Sequence, residues 1–141
     1  MAISLNTGKI KFPIEFDNGE KTAIYFNPND PSLPIRLKDF EKLLAEKIDN
    51  IEDIRLTLEG TPEKIDQVEI FRNMQNVVFE ELNTAFDSDI SSVVFKHCSP
   101  FAWVDGEYFI VQFINALTPE IEKHIKKATE KMSKHLKKYI K

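Results

Sequence analysis

The spacing of apolar positions changes along the chain, and each change marks an element. Residues 10–26 alternate apolar and polar, as two half-buried strands would, and Asn18-Gly19 is the favoured dipeptide of a two-residue hairpin turn with positive φ at both positions. Pairing across that turn sets Phe16 opposite Lys21, Ile14 opposite Ala23 and Phe12 opposite Tyr25. Phe12, Ile14, Phe16, Ala23 and Tyr25 then share one face. Pro13 falls on the other face with no N–H for a ladder, so its strand is expected at an edge. Residues 3–6 can add a third short strand. A hairpin alone is marginal in water, so helices or another subunit must cover it. Residues 27–34 hold three prolines in eight positions and read as a rigid connector, neither helix nor strand, carried on to residue 36.

Beyond it the apolar spacing becomes three and four. Leu37, Phe40, Leu43, Leu44, Ile48 and Ile51 form one stripe of a helix over residues 37–51. A short apolar piece, residues 54–58, is punctuated by Gly60. Thr61 then offers an N-cap and Pro62 a first helical position. The stripe of the long helix they open is Ile65, Val68, Phe71, Met74, Val78, Leu82 and Phe86. Ser88 or Asp89 caps a short helix holding Ile90, Val93, Val94 and Phe95. After Ser99-Pro100, Asp105-Gly106 can turn a second hairpin between aromatic strands, or Asp105 can cap a helix over residues 107–117. Apolar residues on every side of that helix fit burial, and the helix is the preferred reading. Thr118-Pro119-Glu120 repeats the Thr-Pro-Glu of residues 61–63. A last helix is therefore expected from 119 toward 139, striped by Ile121, Ile125, Ala128, Met132, Leu136 and Tyr139. The fold class is α+β: an N-terminal β-hairpin followed by a mainly α-helical bundle. It forms a single domain over 1–141, divided into a hairpin region (1–26), a proline-rich connector (27–36) and a helical region (37–141).

Composition adds an asymmetry. The 141 residues are 42% hydrophobic and 30% charged with a mean hydropathy of −0.32, which fits a soluble globular chain. Residues 122–141 carry eight lysines and two glutamates, a balance of +6, which leaves −10 on residues 1–121. Eight lysines in twenty residues attract phosphate, but the segment has no arginine and keeps a regular apolar stripe. Docking, on this chain or on a partner, is therefore preferred over nucleic-acid binding. No run approaches the length of a membrane span, and the opening residues lack the pattern of a signal peptide, so a cytoplasmic protein is expected.

Chemistry finds little purchase. The one cysteine, Cys98, excludes an internal disulfide and a cysteine-based zinc site. His97 and Cys98 are adjacent, so on a helix their side chains diverge by about 100°. His124 and His135 are separated by about 16 Å along a helix and cannot share an ion. Asp49, Glu52 and Asp53 lack the glycine and terminal glutamate of a calcium loop. No catalytic residue, metal site or cofactor is assigned, and no enzymatic activity is expected.

Residues 78–117 carry a resemblance. Val78 to Phe86, the short helix with Val94-Phe95, Ser99-Pro100-Phe101 and the Gly-x-x-Phe-x-x-x-Phe of Gly106, Phe109 and Phe113 resemble small tail proteins of siphophages infecting Gram-positive bacteria, in particular the tail assembly chaperones. Phe12 to Phe16, Asn18-Gly19 and residues 27–34 also look like proteins of that tail region. The resemblance implies a non-enzymatic protein of the host cytoplasm, able to associate with the virion. Its partner would be the tape-measure or tail tube protein, and homo-oligomers are allowed. A structural tail or head–tail component is the alternative, and a small nucleic-acid binder a second. A helical client suits amphipathic grooves, so the candidate partner-binding residues are Phe101, Trp103 and Tyr108 with Ile121, Ile125, Met132, Leu136 and Tyr139 of the last helix.

Overall fold

In the computed structural model, which describes residues 1–52, 54 and 64–137, the alternating segment forms β1 (Ile10–Glu15) and β2 (Lys21–Phe26), an antiparallel two-stranded sheet. The register differs by one residue from the pairing drawn on Asn18-Gly19. Phe12 faces Ile24, Ile10 faces Phe26 and Pro13 faces Ala23. The turn explains it. Phe16 N–H donates to the Glu20 carbonyl and Gly19 N–H to the Phe16 carbonyl, both at 2.9 Å, which closes a three-residue loop with Gly19 alone at positive φ, 86°. A slip of one residue flips every side chain of a strand, and burial decides which face wins. Phe12, Ile24 and Phe26 are buried, while Tyr25 is 51% exposed. Turning Ile24 and Phe26 inward buries far more apolar surface than Ala23 and Tyr25 could. Residues 3–6 form no strand. Residues 7–9 are held by side chains: Asn27 Nδ2 donates to the Thr7 carbonyl at 3.2 Å and Lys9 Nζ to the Asp87 carbonyl at 2.5 Å.

The connector ends earlier than its prolines suggest. Asn27 and Asp30 side chains accept from the N–H groups of Asn29 and Ser32, each at 2.9 Å, and α1 (Leu33–Glu52) starts at once. Pro34 lies in its first turn, where a missing N–H costs nothing because that N–H has no partner in a helix. α1 buries Leu33, Phe40, Leu44 and Ile51 and packs on α2 (Ile65–Phe86), which buries Met74, Val78, Leu82, Ala85 and Phe86. Residues 55–58, Gly60 and the expected N-cap Thr61-Pro62 lie outside the described residues. Asp87 adopts a left-handed conformation that ends α2, and Asn83 caps the next element, α3 (Ser91–Val94). Its Oδ1 accepts from the N–H groups of Ile90 and Ser91 at 2.8 and 2.9 Å, while Asp89 accepts from Ser92 N–H at 3.2 Å.

Two further expectations are corrected. Asp105-Gly106 caps no helix: both residues have positive φ, 51° and 85°, and turn a minimal hairpin of β3 (Trp103–Val104) and β4 (Glu107–Tyr108), while the helix expected over 107–117 is present but starts at Phe109. Thr118-Pro119 starts no new helix either, for α4 (Phe109–Lys137) runs through it as one element of 29 residues. Ile110, Leu117 and Ile121 are all buried and stay in phase on both sides of the proline. That shared burial offsets the one backbone bond that Pro119 removes. Thr118 Oγ1, instead of capping, donates to the Ile114 carbonyl at 2.8 Å.

One aromatic column joins hairpin and helices. Phe12 stacks on Phe26 with ring centroids 4.3 Å apart, Phe26 meets Phe86 edge-on at 4.8 Å, and His124 of α4 meets Phe12 edge-on at 5.3 Å. Arg36 of α1 donates from Nε to the Ala85 carbonyl at 2.7 Å, tying the start of α1 to the end of α2.

Candidate interaction surface

Among the described residues β1 pairs only with β2, so its other edge carries no strand, and α4 runs beside it. Between them lies an open groove of about 840 Å³. Alternation sets Phe12 and Ile14 of β1 on its inner face and Glu15, opposite Lys21, on its outer face, and the groove at the strand's edge meets both. Phe12, Ile14, Phe109, Phe113 and Leu117 supply an apolar floor, while Glu15, Asp17, Asp105 and Glu120 supply carboxylates. No lysine or arginine among the described residues lines it. Glu120 also reaches its neighbour Lys123, at 3.2 Å, in an exposed pair.

A polar cluster adjoins the groove at His97. Glu20, just before β2, binds Lys96 Nζ at 2.5 Å and the His97 imidazole through Nε2, and His97 lies edge-on to Phe16 at 5.0 Å. The Lys96 and then the His97 hydrogen bonds hold the Glu20 carboxyl below the ordinary glutamate range. A carboxyl lowered by folding contributes stability above its ordinary pKa, and loses it as pH falls through the lowered value. Exposure keeps that contribution small. A side-chain NMR titration should place the Glu20 midpoint below that of an ordinary glutamate, and Lys96→Ala should move it upward. An unchanged midpoint in the variant would show that Lys96 does not hold the carboxylate.

Cys98 also lines the groove, half-buried. Burial, and to a smaller extent the Asp17 charge, push its thiol up, so it stays protonated at neutral pH and is a poor nucleophile. Among the described residues no three His, Cys, Asp or Glu side chains converge on a metal position. No described helix is long and apolar enough to cross a membrane.

The partner-binding residues expected from sequence fall into separate groups. Phe101 is buried, with its ring 6.1 Å from Phe71 and 6.2 Å from Tyr108, and Tyr108 is half-buried. Burial raises the Tyr108 phenol, with the Glu52 charge as the smaller cause. Trp103 is 67% exposed and meets Tyr108 edge-on at 5.2 Å. These aromatics therefore form a wall of the core with one exposed corner. Along α4, Ile121 is buried, but Ile125 is 38% and Met132 is 63% exposed. The Leu136 side chain and Tyr139 lie outside the described residues. Residues 101, 103 and 108 come together, and 121, 125 and 132 follow one another along α4. The β1 side of the groove was not assigned as a site, and its signals were the hairpin face of Phe12 and Ile14 that needed a cover and the excess of apolar residues at 108–117 over what one buried face needs. No family model, curated protein or solved structure matches the chain.

Proposed function

We propose that this chain is a non-enzymatic phage tail assembly protein of the bacterial host cytoplasm, a chaperone that binds the tape-measure protein and assists tail tube assembly. The observation that supports it most is the stripe of α4, which continues past the body with Ile125 and Met132 exposed on an unbroken helix. A long, partly apolar helical client is best held by packing a helix against such a stripe, with the flanking lysines keeping the complex soluble. The resemblance over residues 78–117 supplies the identity of that client. Co-expression with the tape-measure segment should give a soluble complex at low salt, and Ile125→Asp with Met132→Asp should weaken it about tenfold or more, since burying each side chain stabilises by roughly 1.5–3 kcal/mol. Failure of the two wild-type proteins to co-purify would remove the chaperone reading. Turnover of a substrate that is lost on His97→Ala would replace it with an enzymatic one.

A further inference from the structure

The groove and the end of α4 are complementary, yet they belong to parts of one chain that cannot meet. The groove has an apolar floor and four carboxylates, from Glu15, Asp17, Asp105 and Glu120. The end of α4 has an apolar stripe set among lysines, with six lysines and two glutamates, +4, over residues 122–137. α4 itself forms one wall of the groove, from Phe109 to Glu120, and then continues outward without a break. A continuous helix cannot turn back onto its own wall. The tail can therefore enter only the groove of another molecule.

We infer that two copies of this chain associate reciprocally, the lysine-rich end of α4 of each lying in the groove between β1 and α4 of the other. The dimensions agree. The groove wall of α4 is 12 residues, about 18 Å, and the described tail after His124, which still packs on Phe12, is 13 residues, about 20 Å, at 1.5 Å per residue. Two antiparallel copies of α4 then place both tails in both grooves at once, which closes the assembly as a two-fold dimer. Ile125, Ala128 and Met132, spaced three and four, would meet the floor, while the lysines flanking them meet the carboxylates. The inference stands on charge and shape alone; a second copy and the client of the proposed function would use the same residues, Ile125 and Met132, and so exclude each other there.

Light scattering coupled to size-exclusion on the full chain tests it. The wild type should show a dimer whose dissociation constant rises with salt, because opposite charges meet across the contact. Ile125→Glu with Met132→Glu should raise that constant at least tenfold, as should Glu15→Lys with Asp17→Lys, and circular dichroism should report folded protein for both. Mixing the two variants should restore association, since one still has an intact groove and the other an intact tail. A mass of one chain across the micromolar range, or a dimer that survives either pair of substitutions, would overturn the inference. Loss of client binding with the dimer intact would count against the proposed function and not against this contact.

Discussion

Phe26→Ala will remove about 3–5 kcal/mol of stability, the range for deleting a fully buried aromatic ring. Phe26 has no exposed surface and is the middle ring of the column, between Phe12 at 4.3 Å and Phe86 at 4.8 Å. Its loss leaves a cavity between the sheet and α2, which neither rigid neighbour can fill by a small shift. The informative control is the adjacent position. Tyr25→Ala will change stability by less than about 1 kcal/mol, because Tyr25 is 51% exposed on the outer face. Urea denaturation at constant slope reads both values. If Tyr25→Ala proved the more damaging, the hairpin would be paired in the other register, with Ala23 and Tyr25 inward.

A comparable loss is expected where no ring is involved. Asn83→Ala will lower stability by about 2–3 kcal/mol, since each N–H left unpaired away from water costs about 1–3 kcal/mol. Asn83 reaches from α2 to α3: its Oδ1 satisfies the N–H groups of Ile90 and Ser91, and its Nδ2 donates to Ser91 Oγ at 2.9 Å. No second group takes over both backbone donors in the described contacts, for Asp89 serves Ser92. Asn83→Asp keeps the acceptor and loses only the donor, so it should recover most of the stability. Faster amide exchange at Ile90 and Ser91 in the alanine variant would locate the effect. Unchanged exchange at both would show that the cap is not made in solution.

The elements were legible wherever one periodic signal acted alone. The stripes of α1 and α2 could be read residue by residue, because Phe40, Leu44, Val78 and Leu82 are buried on the spacings that define a helix. Errors arose where a local turn signal competed with burial. Asn18-Gly19 promised a two-residue turn, but the inward drive of Ile24 and Phe26 chose a three-residue loop. Pro119 promised a break, but Ile110, Leu117 and Ile121 kept α4 in phase across it. At Asp105-Gly106 the error ran the other way, and the turn dipeptide meant what it said. The groove itself was not legible beyond the surplus of apolar residues at 108–117 and the uncovered face of the hairpin, since it exists only because a sheet edge and a helix distant in sequence lie side by side. No periodicity within either element reports on the space between them.

The unbroken passage of α4 through Pro119 also makes the tail a screw with a fixed thread. No joint separates the body from the exposed stripe, so each residue of length turns the stripe by about 100° and advances it about 1.5 Å. One added residue would aim Ile125 and Met132 away from any surface they now match. Seven added residues would nearly restore the aim, about 20° short of two full turns, while carrying the stripe about 10 Å further out. Whatever α4 engages thus constrains its length in steps of whole turns, and spacing along this helix is as much a part of its specificity as the residues it presents.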